Sequence, residues 1–146
     1  IHAPRDRQPP KDLRRVLIVD DDITITDSIA AFLELNSYEA IIAHDGSSAY
    51  EELTKRRPFL AIITDLKMSG MAGLDFLRLI KKKGDETPII VVSGYSEMMG
   101  EGKVQALDDK WNVRWRKKPI PNETLLKDLK DIEDEKTKQG PTEGQA

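Results

Sequence analysis

Carboxylates and a hydroxyl follow three apolar runs of this chain, at the point where each run ends. The run VLIV is followed by Asp20, Asp21 and Asp22, the run FLAIIT by Asp65, and the run IIVV by Ser93. Continuous apolar runs of this length are typical of strands that are buried on both faces of a parallel sheet. Because the carboxyl ends of such strands meet at one edge of the sheet, we expect these polar side chains to line one crevice.

The polar groups of this crevice suit the chemistry of phosphoryl transfer. Neighbouring carboxylates repel one another unless a cation binds, and a set of oxygen ligands suits Mg²⁺ or Mn²⁺. A carboxylate beside such an ion can attack a phosphoryl group as a nucleophile, and Asp65 is the candidate. Lys118, after a fifth predicted strand, offers a compact positive charge for the transition state. The Ser93 hydroxyl can donate a hydrogen bond to another phosphoryl oxygen.

Strand and helix patterns alternate along the chain and predict the elements that position these residues. Five strand–helix units with right-handed crossovers predict an α/β fold with a doubly wound, five-stranded parallel sheet of order 2-1-3-4-5. The apolar strands one, three and four are expected at the centre of the sheet. The predicted strands are approximately 15–19, 39–43, 60–64, 89–93 and 113–117.

Apolar residues at helical spacing predict a helix after each strand. The first helix follows a possible Asp22 cap, and the second starts at an Asp45 cap. The third runs from about Gly73 to Lys82, and the fifth starts after Pro121. The fourth helix is weak, because each of its two glycines costs about 1 kcal/mol relative to alanine. The helix residues expected to face the core are Ile25, Ile29, Phe32, Leu33, Ala49, Leu53, Leu74, Leu77, Ile80, Leu125, Leu126, Leu129 and Ile132.

The composition is that of a small protein with a charged surface. The chain has 146 residues, a net charge of −3 and no cysteine, which excludes disulfides and thiolate metal sites. No apolar run is long enough to span a bilayer, and the charge does not indicate nucleic-acid or membrane binding. We expect a flexible leader at 1–12, one domain at 13–135, and a disordered tail or linker start at 136–146. The lack of cysteine fits a reducing, cytoplasmic compartment.

Together these motifs resemble the receiver domain of response regulators in two-component signalling. The matching segments are VLIVDDD at 16–22, IITDLKM at 62–68, VVSG at 91–94 and KKP at 117–119. The resemblance extends over about 13–135 and implies a flavodoxin-like receiver fold. It also implies a phosphorelay protein that takes a phosphoryl group from a sensor histidine kinase or a histidine phosphotransfer protein.

The resemblance assigns a role to each residue of the crevice. Asp65 would be the phosphoacceptor, Ser93 the switch hydroxyl and Lys118 the phosphate-binding lysine. Asp65 would also bind the metal ion. The other metal ligands would be the acidic pair Asp20 and Asp21, with Asp21 the more direct ligand of Mg²⁺, and the backbone carbonyl of Lys67.

The resemblance further implies a switch and a lifetime for the phosphate. The switch aromatic is usually Tyr or Phe, and the larger Trp115 stands there in this chain. Lys67 and Tyr95 flank the approach of water to the acceptor, and because both are bulky we expect a comparatively long-lived phosphate. The weak fourth helix, which contains Gly100 and Gly102, is expected to be the moving part.

Partners are expected to dock on the face formed by helix four, strand five and helix five, and a homodimer would use the same face. We expect self-catalysed phosphorylation and dephosphorylation only, so the chain is not an enzyme in the usual sense. The basic side chains of strand five, Arg114 and Arg116 among them, are expected to pair with helix five rather than to bind nucleic acid. The expected carboxylates are Asp131, Glu133 and Asp134.

Three other functions compete with this one. A degenerate receiver would keep the fold and act only as a protein-interaction module. An aspartate-nucleophile phosphatase of related fold would carry a second Asp two residues after the nucleophile, where this chain has Lys67. An FMN module would need a phosphate loop rich in Ser, Thr and Gly after strand one, where three aspartates stand instead.

Overall fold

The computed structural model describes residues 14–66, 73–94 and 112–145 of the chain. Several features predicted from the sequence lie outside these ranges: the leader at 1–12, the Lys67 carbonyl, Tyr95 and the fourth helix. Within the three ranges, no helix combines the length and the apolar character needed to cross a membrane.

The described strands form one parallel sheet in the order β2-β1-β3-β4-β5, which confirms the order predicted from the sequence. The continuous apolar sequences of β1, β3 and β4 explain their central positions, because both faces of these strands are covered. β2 and β5 form the two edges. The strands are β1 (Arg15–Val19), β2 (Glu39–Ala43), β3 (Ala61–Thr64), β4 (Ile89–Ser93) and β5 (Val113–Lys117).

Four helices are described, and side-chain caps fix the start of two of them. The Asp22 carboxylate accepts a hydrogen bond from the amide of Ile25, and the Asp45 carboxylate accepts one from the amide of Ser48. Both caps satisfy amides that have no partner inside the helix, and both confirm the sequence analysis. The helices are α1 (Ile23–Leu35), α2 (Gly46–Arg56), α3 (Gly73–Lys82) and α4 (Asn122–Gln145), which is the fifth helix predicted from the sequence.

The core has two layers, one on each face of the sheet. Successive side chains of a strand point to opposite faces, so Leu17 and Val19 of β1 enter one layer while Val16 and Ile18 enter the other. α2 and α3 cover the first layer, and α1 and α4 cover the second. Many of the helix residues that we expected in the core are fully buried. They are Leu33, Ala49, Leu53, Leu77, Ile80, Leu125, Leu129 and Ile132.

One feature of the helices differs from the sequence analysis. Phe76 of α3 is completely buried, although we did not expect it in the core. α4 is described as far as Gln145, and the tail or linker start expected from residue 136 stays a prediction.

The basic side chains of β5 pair with α4, but with other carboxylates than those predicted. Arg116 donates from Nε and Nη2 to the two oxygens of Asp128, each at 2.8 Å. Arg114 donates from Nη2 to Glu135 at 2.9 Å. These hydrogen-bond partners are not among the predicted Asp131, Glu133 and Asp134, because the crossing of β5 and α4 decides which face of the helix lies against the strand. The charge of Arg114 still acts on Asp131, whose pKa is lowered mainly by its hydrogen bond to Lys127. Asp128 is only 3% exposed, so this ion pair fastens β5 to the core.

We predict that removing Arg116 destabilises the protein more than removing Asp128. In Arg116→Met the buried Asp128 carboxylate loses both hydrogen bonds from Arg116, and Nε of Arg114 is 4.0 Å away. The expected loss is about 3 kcal/mol of unfolding free energy. In Asp128→Asn the Arg116 side chain, 36% exposed, can turn to water. The expected loss is then about 1.5 kcal/mol.

Urea unfolding of both variants measures this difference. Asp131→Asn is the matched control, because it removes the exposed Lys127–Asp131 pair on the same helix and should change stability much less. Equal losses for Arg116→Met and Asp128→Asn would show that burial of Asp128 does not set the energy of this pair.

Candidate functional site

Asp20, directly after β1, is buried and has partners for each of its polar groups. Its amide donates to the Ala43 carbonyl at 3.2 Å, and its Oδ1 accepts from the Asp22 amide at 3.0 Å. Its Oδ2 lies 3.2 Å from Nζ of Lys118. Its carbonyl oxygen lies 3.0 Å from Nδ1 of His44. The end of β1 therefore holds this carboxylate in one fixed orientation.

Burial raises the pKa of Asp20 above its ordinary value, because the charged carboxylate is removed from water. The hydrogen bond from the Asp22 amide and the charge of Lys118 act in the opposite direction, and the charge of Asp65 adds to the effect of burial. For the charged form of Asp20, the cost of leaving water thus exceeds the stabilisation by the Asp22 amide and the Lys118 ammonium.

The other two aspartates of the triplet differ from Asp20 in exposure. Asp21 and Asp22 are both exposed, and Asp22 caps α1. The sequence analysis expected Asp21 to be the more direct metal ligand; in the structure it is exposed and lies one residue beyond the buried Asp20.

Asp65 lies between a hydroxyl and an ammonium group. Its Oδ1 accepts a hydrogen bond from Oγ of Ser93 at 2.9 Å, and its Oδ2 accepts one from Nζ of Lys118 at 2.7 Å. Asp65 is 6% exposed and Ser93 is fully buried. The structure thus brings Asp20, Asp65, Ser93 and Lys118 together, as we expected from the positions of these residues at strand ends.

Lys118 connects the two buried carboxylates. Burial lowers the pKa of this lysine, but the hydrogen bonds and charges of Asp65 and Asp20 outweigh burial and hold the pKa above its ordinary value. Both pKa values are raised, which disfavours the charged form of Asp20 and favours the charged form of Lys118. The lysine differs because it faces two carboxylates and keeps more contact with water. The Lys118 amide also donates to the Ser93 carbonyl at 2.8 Å, which ties the lysine to the end of β4.

Trp115, the expected switch aromatic, is partly buried against the core layer of α2 and α3. Its indole Nε1 is buried, and within the part of the chain that the structure describes it has no hydrogen-bond partner. Trp115 opposes Val91 across the β4–β5 pairing, two residues before Ser93 opposes Lys117.

A cavity of about 310 Å³ opens beside these residues. It lies between α1 and the segment after β5, and its lining includes Asp20, Asp65 and Lys118 together with apolar side chains such as Ile25 and Ile120. A larger cavity of about 680 Å³ lies at the amino ends of the strands, where Phe59, Pro88 and Asn112 line it. We assign the chemistry to the smaller cavity, because the larger one contains none of the residues predicted to act on phosphate.

The donor set around Asp65 fits a small, hard cation. Asp20 and Asp65 present oxygen atoms in one buried place, and the raised pKa of Asp20 shows that more positive charge would stabilise it. Among the described residues, no three acidic or histidine side chains are grouped as a complete metal site. Mg²⁺ does not need such a cage, because it keeps several waters and binds through one or two carboxylates.

The same fold and motifs occur in known proteins. The chain matches the response regulator receiver domain over residues 16–130. Response regulator MprA of Mycobacterium ulcerans is 37% identical over 79 residues, which cover 54% of this chain and 34% of that protein. The crystal structure of the CheY-like receiver domain protein from Methanospirillum hungatei has a TM-score of 0.75 at 31% identity, over 87% of this chain and 98% of that chain. Chemotaxis response regulator CheY4 of Vibrio cholerae has a TM-score of 0.69 at 29% identity, over 81% and 97%.

The chain belongs to the response regulator receiver domain family. Domains of this family are generally signalling modules of two-component systems and not enzymes. The match spans about a third of the length of the curated relatives.

The sequence analysis did not single out His44, which contacts Asp20. A signal existed, because the predicted order places β2 beside β1, so the residues after these two strands are neighbours. The contact itself depends on the ring orientation, which no sequence pattern gives.

We predict that Asp20→Asn raises the melting temperature of the metal-free protein at pH 7. Because the pKa of Asp20 is higher in the folded than in the unfolded state, the folded state binds more protons there. Stability therefore falls as pH rises through this raised pKa, and it is lowest when Asp20 is charged. The neutral asparagine removes this cost.

Thermal unfolding in EDTA and in Mg²⁺ tests this expectation. Wild type should gain about 2.7 kcal/mol at a Mg²⁺ concentration of 100 Kd, and Asp20→Asn should gain less. Asp21→Asn is the control, because its exposed carboxylate should change the metal-free melting temperature less. A lower melting temperature for Asp20→Asn in EDTA would contradict the raised pKa.

Proposed function

We propose that this receiver domain accepts a phosphoryl group on Asp65 from a sensor histidine kinase or a histidine phosphotransfer protein. One observation carries the proposal: the buried Asp65 carboxylate has the Ser93 hydroxyl on one oxygen and the Lys118 ammonium on the other. A nucleophile, a hydrogen-bond donor and a fixed cation are the groups that phosphoryl transfer onto a carboxylate requires.

In the proposed transfer an oxygen of Asp65 forms a bond to phosphorus while the P–N bond of the donor phosphohistidine breaks. The electron pair of that bond stays with the imidazole, which leaves and takes up a proton. Lys118 neutralises negative charge that builds up on the phosphoryl oxygens, and Ser93 donates to one of them. Bound Mg²⁺ or Mn²⁺ would add positive charge at the same oxygens. Its ligands would be Asp20, Asp21, Asp65 and the Lys67 carbonyl.

Each Asp65 oxygen accepts a hydrogen bond in the resting site, and a carboxylate oxygen has a second lone pair that can attack phosphorus. The product is an acyl phosphate: the Asp65 oxygen bonded to phosphorus no longer carries negative charge, and the phosphoryl group presents three stronger acceptors. Ser93 and Lys118 would therefore leave the carboxylate for the phosphoryl oxygens. A shift of Ser93 would open space near Trp115, the residue that pairs with Val91 in the β4–β5 ladder. This movement would change the docking face of helix four, strand five and helix five, where a partner or a second copy would bind.

The alternatives are less well supported by the same geometry. A degenerate receiver that acts only in protein contacts would not need Asp20, Asp65, Ser93 and Lys118 in hydrogen-bonding distance. A phosphatase would need an acid two residues after Asp65, where Lys67 stands. We therefore propose self-catalysed phosphorylation and dephosphorylation without turnover of an external substrate. The proposed domain covers 13–135 and works in the cytoplasm, where ATP-dependent kinases act.

We predict that acetyl phosphate with Mg²⁺ adds one phosphoryl group to the wild-type protein and none to Asp65→Asn. Asparagine is nearly the same size but is not a nucleophile toward phosphorus. Intact-mass spectrometry measures the product. Equal labelling of wild type and Asp65→Asn would remove Asp65 as the acceptor.

Lys118→Ala should react at least tenfold more slowly, because the developing charge loses its fixed cation. Asp21→Ala should weaken Mg²⁺ binding, measured by tryptophan fluorescence.

We also predict that Tyr95→Ala shortens the life of the phosphorylated state. Tyr95 lies outside the described residues, and the expectation rests on its position two residues after Ser93. A bulky side chain there hinders the in-line approach of water, which hydrolysis needs. The rate of phosphate loss after removal of the donor measures the effect, with Tyr95→Phe as the control of similar size. If the rates of Ala and wild type agree, Tyr95 does not shield the phosphate.

A further inference from the structure

His44, the first residue after β2, touches the backbone of the acidic pair. Val19 and Ala43 are paired in the β1–β2 ladder, so the residues that follow them, Asp20 and His44, are neighbours. Nδ1 of His44 lies 3.0 Å from the carbonyl oxygen of Asp20. Because a carbonyl oxygen has no proton to give, Nδ1 must carry the proton and donate it. Both the neutral Nδ1–H tautomer and the imidazolium carry this proton, so the bond does not depend on the charge of the ring.

The bond fixes the peptide unit that connects Asp20 to Asp21. The peptide group is planar, so the position of the Asp20 carbonyl oxygen defines the plane that also contains the Asp21 amide and Cα. The amide of Asp20 is already fixed by the Ala43 carbonyl at 3.2 Å. Together these two contacts hold Asp20 on both sides of its Cα, and they set the direction in which the exposed Asp21 leaves the strand.

We propose that His44 is a positioning residue for the acidic pair, acting through the Asp20 carbonyl and not through contact with metal or phosphate. The inference rests on the proposed function, in which Asp20 and Asp21 hold the cation. Without the imidazole donor the Asp20–Asp21 peptide can rotate, and Asp21 samples directions that do not bind. His44 is exposed, so its removal leaves the core intact.

Two isosteric substitutions separate the donor from the bulk of the ring. In His44→Asn the side-chain amide nitrogen can take the place of Nδ1 and donate to the same carbonyl. In His44→Gln the amide nitrogen takes the place of Nε2, one atom further out, and cannot replace Nδ1 without a change of rotamer. His44→Ala removes both. We expect Ala and Gln to weaken Mg²⁺ affinity roughly three- to tenfold, the range for one lost hydrogen bond, and Asn to recover most of it.

The first readouts are taken on the metal-free protein and involve no activity. The ¹⁵N spectrum of the His44 ring should show a protonated Nδ1 at neutral pH. Amide exchange at Asp21 and Asp22 should be faster in His44→Ala and His44→Gln than in wild type and His44→Asn. Mg²⁺ affinity is then measured by titration calorimetry. With acetyl phosphate, the variants should need more Mg²⁺ for half the maximal rate while their rate at saturating Mg²⁺ stays close to wild type.

The outcomes distinguish this inference from the proposed function. If wild type takes no phosphoryl group on Asp65, the proposed function fails, and His44 is still judged by amide exchange and Mg²⁺ affinity. If His44→Ala and His44→Gln match wild type in both measurements, the positioning role is overturned. It is also overturned if His44→Asn is as weak as His44→Ala, because the ring and not the Nδ1 donor would then matter.

Discussion

The contact on which the site depends is the ammonium of Lys118 between two buried carboxylates. Nζ lies 2.7 Å from Asp65 and 3.2 Å from Asp20. Two carboxylates removed from water at neighbouring strand ends repel each other, and one shared cation offsets only part of that cost. The sheet order makes the arrangement possible, because β1, β3 and β4 end at the same edge and β5 delivers the lysine from beyond β4.

Lys118 follows β5 directly, and contacts of its own backbone and of that strand hold it in place. Its amide donates to the Ser93 carbonyl, which ties it to the end of β4. Two residues earlier, within β5, Arg116 binds the buried Asp128 and fastens the edge strand to α4. An edge strand has a neighbour on one side only, and this ion pair supplies the second support. A charged pair far from Asp65 thus contributes to the geometry at Asp65.

The sequence predicted what periodicity and position along a strand determine, and missed what depends on orientation in three dimensions. The apolar runs predicted β1, β3 and β4 and, with them, the meeting of Asp20, Asp65 and Ser93. The carboxylates that accept hydrogen bonds from the arginines of β5 were not among those predicted, because they depend on how α4 crosses the strand. His44 was missed because its role depends on one ring orientation after β2.

The resting site is arranged so that added positive charge, or a change in the charge of Asp65, alters its hydrogen bonds. Burial raises the pKa of Asp20, and a cation beside it would favour the charged carboxylate. An acyl phosphate at Asp65 would act differently: it removes the charge that holds Ser93 and Lys118, while the new phosphoryl oxygens attract both. Because Ser93 is the last residue of β4 and its carbonyl binds the Lys118 amide, a displacement of Ser93 is transmitted to the end of β5 through one hydrogen bond. Contacts of β4 and β5 therefore connect Asp65 to Trp115: Ser93 donates a hydrogen bond to Asp65, and Trp115 is paired with Val91 in the same ladder. The proposed switch can use this connection.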